Sequence, residues 1–321
     1  MSIDFKRRVD QALVRIKPEI KRTPLEYSPS LSQISGAAVY LKWENEQHTG
    51  SFKFRGALNK VRSFSSGQKK KGVISASTGN HGLGAGLAAR LEGVTLTLVL
   101  PTNISKEKRR RLEDSGAEII EYGDSCEKAE LRARHLAREK GQVYISPYND
   151  EEVICGQGTI GLEILEDLPD AEAVLVPIGG GGLISGIAGY LKSSNKKIRI
   201  FGVEPERSAF MAASLSAGRI VEIKEKETIA DAVAGGIEPG SITFSFCQKL
   251  LEGIITVEES VIRKVMRLIY EKHQRMVEGA GALALAGLMS QGPLFEKGKV
   301  VLVVSGGNIS PQSFLEAVSA P

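Results

Sequence analysis

"AVLVPIGGGGLISGIAGYL", residues 173–191, carries an apolar strand straight into four glycines, Gly179, Gly180, Gly181 and Gly182, and on into a helix. Glycines let several backbone N–H groups converge on one anion, and the positive end of the following helix adds a fractional charge of about half a unit. A plain strand-to-helix turn needs one or two glycines, so four in a row point to a phosphate cradle. A dinucleotide is the first candidate, but the spacing disagrees. A GxGxxG pattern begun at Gly179 requires glycine where Ile184 stands, and one begun at Gly180 meets Ser185. Glu204, closing the next β-rich run, keeps the dinucleotide alternative open as a ribose ligand. A compact monophosphate suits the loop better.

Outward from that loop, short β-rich runs alternate with amphipathic stretches, which argues for parallel strands joined by helices. "GVISAS" (72–77), "VTLTLVLP" (94–101), "AEIIEYG" (117–123) and "QVYISP" (142–147) read as one series of buried strands. "AVLVPI" (173–178), "KIRIFGVEP" (197–205), "GIITV" (253–257) and "KVVLVVS" (299–305) form a second, so two sheets are expected. The 321 residues suggest two lobes on a prior of about 150 residues each. "EESVIRKVMRLIYEKH" (258–273) spaces Val261, Val265, Leu268 and Ile269 along one helix face. "EGAGALALAGLMS" (278–290) is apolar almost throughout and is expected to lie between layers. "SKEKRRRLEDSGA" (105–117) opens on a cap at Ser105 and stops at Gly116. Its basic run, 108–111, reads as a solvated face rather than an anion contact, and Lys69, Lys70 and Lys71 read as part of a solvated turn.

Two further turns follow strands. "SASTGNHGLGAG" (75–86) packs Ser77, Thr78, Asn80 and His81 around Gly79 at a helix start, where backbone and hydroxyl donors can hold a carboxylate. "VVSGGNIS" (303–310) places the Ser305 hydroxyl at a strand's carboxyl end. A capped turn explains either one taken alone. "TGSFKFRGA" (49–57) sets Lys53 between Phe52 and Phe54, where lost hydration disfavours the ammonium and leaves an amine able to attack a carbonyl. A lysine stem snorkelling over apolar neighbours fits those nine residues, taken alone, better.

Composition narrows the classes. Hydrophobic residues at 42% and charged residues at 25% are ordinary for a globular chain, and a net charge of +4 is spread without a basic patch, so no nucleic-acid partner is expected. Three widely spaced cysteines, Cys126, Cys155 and Cys247, form no CxxC pair, which fits a reducing compartment. No leader-like apolar stretch and no run of about 20 apolar residues occurs, so a cytoplasmic protein without a membrane partner is expected.

In their order along the chain, "SFKFRGA", "STGNHG", the four glycines and "SGGN" resemble the fold-type II pyridoxal-phosphate enzymes, above all threonine/serine dehydratases and serine racemases, over residues 21–308. The resemblance implies an α/β fold like that of the tryptophan synthase β chain: two open, mainly parallel twisted sheets with helices on both faces and the cofactor in the cleft between lobes. It implies a large cofactor-binding domain of residues 1–48 and 149–321, and a small domain of residues 49–148. Lys53 is then the residue that holds pyridoxal 5'-phosphate and moves the substrate's Cα proton. Gly179, Gly180, Gly181, Gly182 and Leu183 bind the cofactor phosphate, Asn80 its phenolic oxygen, and Phe52 packs on its ring. Ser305 faces the pyridine nitrogen, and a hydroxyl there leaves a weaker electron sink than an aspartate does. Ser77, Thr78, Gly79 and His81 form the clamp for the substrate carboxylate, with Asn149 a polar contact nearby. The implied reaction removes water from L-threonine or L-serine to give 2-oxobutanoate or pyruvate plus ammonia, in a homodimer.

Several positions depart from that family pattern. Racemases of the group carry serine at the position of Thr78 and threonine dehydratases carry alanine, so the Thr78 hydroxyl leaves a racemase side activity open. Related racemases bind a cation through a glutamate and an aspartate; Glu204 and Ser208 match, but Phe210 stands where the aspartate is expected. A monovalent or divalent cation therefore stays an open alternative. "AGGIEPG" (234–240) is as similar to hydroxyectoine-utilisation dehydratases, so another 3-hydroxy amino acid or a hydroxyectoine breakdown step competes for the substrate. Only 13 residues follow "SGGN", and no regulatory domain or isoleucine feedback is expected. The rival classes are a nicotinamide-dependent oxidoreductase and a non-catalytic binder of phosphorylated ligands.

Overall fold

The computed structural model describes residues 3–319. Its strands are β1 (Leu25–Tyr27), β2 (Ala38–Trp43), β3 (Val73–Ser75), β4 (Leu96–Leu100), β5 (Glu118–Glu121), β6 (Val143–Tyr144), β7 (Ala173–Pro177), β8 (Arg199–Pro205), β9 (Gly253–Val257) and β10 (Lys299–Val304). They form a six-stranded sheet, β1-β2-β10-β7-β8-β9, and a four-stranded sheet, β5-β4-β3-β6. Every pairing is parallel except β1 with β2. All five residues of β4 and of β7 are buried, as strands covered by helices on both faces require.

All eight expected strands are present, most of them trimmed at the ends. The expectation of burial fails for β5, whose Glu118 and Glu121 are exposed and whose Ile119 and Ile120 are half-buried, because β5 lies at a sheet edge. β6, at the opposite edge, is likewise half-buried. β1 and β2 were not anticipated. Residues 66–71 are a short helix rather than a turn: Ser65 Oγ accepts from Gln68 N and Ser65 N donates to the Gln68 side chain, a capping box written as S-x-x-Q. The helix Glu259–His273 docks through Ile262, Val265, Met266 and Ile269, one position round from the expected face, leaving Val261 and Leu268 half-buried. The helix Gly279–Ser290 is buried over its first ten residues, as expected.

One ion cluster fixes the helix Lys53–Arg62 against the larger sheet. Arg55 is fully buried; its Nε and Nη2 donate to Glu44 at 2.8 and 2.9 Å, and its Nη1 and Nη2 donate to Glu163 at 2.6 and 3.0 Å. Lys42, at the end of β2, donates to Glu163 at 2.5 Å and to the Thr23 carbonyl at 2.7 Å. Two cations thus face two carboxylates, all buried from solvent, joining β2, the turn after it and the helix Glu151–Asp167 to the helix that begins at Lys53. Removing one member strands the opposite charges in an apolar site. Arg55→Ala should lower the unfolding free energy by about 3–5 kcal/mol, read from the shift of the urea transition; a loss under about 1 kcal/mol contradicts this role.

Candidate active site

Three turns leave the carboxyl ends of parallel strands and converge: residues 76–79 after β3, the glycines after β7 and Ser305 after β10. Between them lie two adjoining cavities that share Lys53, Asn80, Ala232 and Glu278 in their linings. The first is framed by Ser77, Thr78, Gly79 and His81, and the second by Phe52, Tyr148, the four glycines, Leu183 and Ser305.

Lys53 opens its helix, where the positive end of the peptide dipoles already disfavours a cation. Its Nζ donates to the Pro147 carbonyl at 2.9 Å and lies 5.0 Å from the centre of the Phe52 ring. Burial pushes its pKa down to about 8, against the upward pull of the Glu278 carboxylate. Gly84, one turn into the helix Asn80–Leu91, lets that helix approach: a Cβ there would stand 2.9 Å from the Phe54 nitrogen.

The helix Asn80–Leu91 starts after Gly79 with no side-chain cap, so its first N–H groups face the first cavity; Ser77 Oγ accepts from Gly79 N at 3.3 Å. His81 lines this cavity, but its Nε2 is turned to Ser75 Oγ at 3.1 Å and the Ile145 carbonyl at 3.3 Å. Burial, helped by Lys53, lowers its pKa to about 3, so the ring is neutral. Because a carbonyl only accepts, Nε2 carries the proton and Nδ1 has none. What this turn can offer a carboxylate is therefore its hydroxyls and backbone amides, not an imidazole N–H.

The helix Gly182–Ser194 begins after Gly181, whose φ of +84° and lack of a side chain leave the first-turn N–H groups uncapped toward the second cavity. The neighbouring glycines are also required by packing. A Cβ on Gly180 would stand 2.4 Å from Tyr148 ring carbons, and one on Gly182 would stand 2.8 Å from Tyr148 Cα. Ser305 is buried at 3% exposure, and its hydroxyl donates to the Ala280 carbonyl at 3.3 Å.

Other expected residues sit elsewhere. Asn149 faces away from both cavities: its amide N–H₂ bonds Glu238, and its oxygen accepts from Ile242 N at 3.0 Å, which braces the 238–242 loop. Glu204 is 1% exposed and accepts from Met211 N and Ala212 N, each at 2.8 Å, at the start of the helix Phe210–Ala217. That geometry takes it away from any ribose at the glycine loop. Ser208 donates to Glu225 at 2.9 Å and accepts from Gly235 N at 3.3 Å. Among the described residues no cluster of three or more His, Cys, Asp or Glu is placed to hold a metal.

Sequence reasoning passed over Glu278, which is 5% exposed, lines both cavities and accepts from Asn80 Nδ2 at 2.7 Å. Burial raises its pKa to about 7, against the Asn80 hydrogen bond. Its signal was a lone carboxylate heading an apolar helix. The basic run also divides. Lys108 and Arg111, three apart on the helix Lys106–Glu113, line the cavity mouth, while Arg109 pairs with Glu113 and Arg110 with Asp114.

An uncapped glycine loop, a buried amine and a second uncapped helix start around one cleft define an enzyme that works through a small phosphorylated carbonyl cofactor. The sequence pattern of the family "Pyridoxal-phosphate dependent enzyme" matches residues 16–306, and the chain belongs to that family. It is 42% identical over 302 residues to the L-threonine ammonia-lyase of Thermotoga maritima, covering 94% of this chain and 75% of that protein. It is 44% identical over 306 residues to a catabolic L-threonine dehydratase of Staphylococcus aureus, covering 94% of this chain and 88% of that protein. The solved structure of maize serine racemase superposes with a TM-score of 0.92 at 34% identity, over 98% of this chain and 96% of that one. The fold is that of the fold-type II enzymes.

The residues present fit pyridoxal phosphate. Uncapped N–H groups at the glycines suit its phosphate, Phe52 and Tyr148 flank the second cavity, and the Lys53 amine stands beside both. In the cofactor-free protein, reductive methylation of Lys53, followed by peptide mass spectrometry, should be half-maximal near pH 8, the value to which burial lowers it. A midpoint near the ordinary lysine value of about 10.4 contradicts a desolvated amine.

Proposed function

We propose that this protein is a pyridoxal-phosphate-dependent ammonia-lyase that removes water from L-threonine and L-serine, the released enamine then taking up water to yield 2-oxobutanoate or pyruvate and ammonia. The observation that carries the reading is the Lys53 amine, pushed down to about pKa 8, at the junction of a carboxylate-receiving turn and a phosphate-receiving loop. The two threonine-active relatives support the substrate class.

The roles follow from position. The substrate carboxylate meets the uncapped N–H groups at the start of the helix Asn80–Leu91 and the Ser77 and Thr78 hydroxyls. Lys53 Nζ removes the Cα proton; at neutral pH an amine of pKa about 8 is free often enough to act and basic enough to succeed. Pyridoxal phosphate, when bound, supplies the sink for the electron pair released at Cα. Ser305 would meet the cofactor's pyridine nitrogen with a neutral hydroxyl, by turning its O–H from the Ala280 carbonyl, and the weaker sink this leaves would favour prompt loss of the β-hydroxyl. Thr78 lines the same cavity as Lys53, where its hydroxyl would be the second acid of a minor racemase activity.

The reading includes no cation, because Phe210 stands where a second carboxylate would be needed and Glu204 is turned to the Met211 and Ala212 N–H groups. The same contacts weigh against the nicotinamide alternative. Residues 49–148, which hold the four-stranded sheet, are proposed as the small domain and the rest as the large one; a homodimer in the cytoplasm is proposed with them.

A keto-acid assay with added pyridoxal phosphate tests this. The wild type should turn over L-threonine and L-serine, and Lys53→Ala should lose at least about 10³-fold in kcat. Wild-type protein that forms no keto acid from either substrate sinks the reading. Thr78→Ala should lower D-serine formation by about 10²-fold and leave dehydration measurable; unchanged racemisation removes Thr78 from that role.

A further inference from the structure

Asn80 sits where the two cavities meet, and the direction of its amide is settled by a chain of hydrogen bonds that begins outside the cleft. Arg111 can only donate, and its Nη2 donates to Asn308 Oδ1 at 2.7 Å. The Asn308 amide nitrogen therefore points the other way, donating to the Thr49 carbonyl at 2.8 Å and to Asn80 Oδ1 at 2.6 Å. With its oxygen taken by a donor, Asn80 turns Nδ2 to the Glu278 carboxylate at 2.7 Å. One of the two Nδ2 protons is spent on Glu278; the other has no partner among the described residues and is left for the cleft. Flipping Asn80 would set its oxygen against a carboxylate and its N–H₂ against that of Asn308, losing two charge-assisted or buried bonds at once.

The chain is built in. A Cβ on Gly306 would collide with Glu278 Oε1, and one on Gly50 would stand 2.7 Å from Asn308 Oδ1, so the backbone leaves room for both side chains. The chain also links separate elements: the helix Lys106–Glu113, the turn after β10, the start of the helix Asn80–Leu91 and the residue heading the helix Gly279–Ser290.

We propose that Glu278, by accepting directly from Asn80, and Arg111, acting through Asn308, are positioning residues that lock the Asn80 amide with one N–H presented to the bound cofactor. The proposal rests on the cofactor reading above, so its test has one arm that needs the cofactor and one that does not.

With pyridoxal phosphate bound, Glu278→Ala should shift the cofactor's visible absorption maximum and weaken its binding about tenfold; Glu278→Gln, whose carbonyl also accepts, should restore most of that affinity. Arg111→Ala should act in the same direction by about threefold, with Arg111→Lys restoring it, and Arg110→Ala should change nothing. In an Asn80→Ala background the Glu278 and Arg111 changes should have no further effect, whereas a merely structural role would leave them undiminished. In the cofactor-free protein, ¹⁵N-asparagine spectra should show one Asn80 side-chain proton shifted downfield in the wild type and returned toward the free-amide position in Glu278→Ala. An Asn80 amide signal identical in the two proteins overturns the proposal, as does full additivity with Asn80→Ala. Wild-type protein that takes up no pyridoxal phosphate overturns the functional reading alone, since the amide signal still reports on the relay.

Discussion

The fully buried guanidinium of Arg55, held between Glu44 and Glu163, is the constraint on which the active cleft depends. Burying four charges is not a route to stability in itself, because desolvation offsets most of their attraction. What the cluster supplies is a defined position. It welds the helix that begins at Lys53 to the end of β2 and to the helix Glu151–Asp167. Lys53 lies two residues from the weld, so its amine is placed by elements belonging to the larger sheet while the helix itself packs under the smaller one.

The cleft built on that weld is dry enough to change the chemistry of its titratable groups. Lys53 is pushed down to about 8, Glu278 up to about 7 and His81 down to about 3, and loss of water is the leading cause for each. Lys53 and Glu278 attract one another, which favours their ionised forms; that burial still moves both toward neutrality shows which effect is larger. An amine lowered to about 8 is what removal of the Cα proton near neutral pH asks of a site. His81, kept neutral, adds no competing charge beside the amine.

Legibility followed sequence distance. The four glycines were readable because a phosphate cradle is local: strand, loop and helix start are contiguous in 173–191. Lys53 was readable only in company with three other turns, since a lysine between phenylalanines has a bland explanation. The Arg55 cluster was not, because its partners Glu44, Lys42 and Glu163 are scattered across more than a hundred residues. Nor was β2, whose pattern is broken by Lys42, a residue that can be buried because Glu163 and the Thr23 carbonyl meet its ammonium. Lys108 and Arg111 were misjudged by treating a basic run as a single face, although helical periodicity separates them from Arg109 and Arg110. Asn149 and Glu204 sat at plausible positions in the chain, but their side chains brace the 238–242 loop and the start of the helix Phe210–Ala217.

The central claim is that the side-chain nitrogen at position 53 is where the cofactor is attached. Purified protein saturated with pyridoxal phosphate, reduced with borohydride and digested, puts this directly to a mass spectrometer. The account predicts one pyridoxyl group per chain, on Lys53 and with loss of the yellow colour. A label on another lysine, or no label at all, contradicts it.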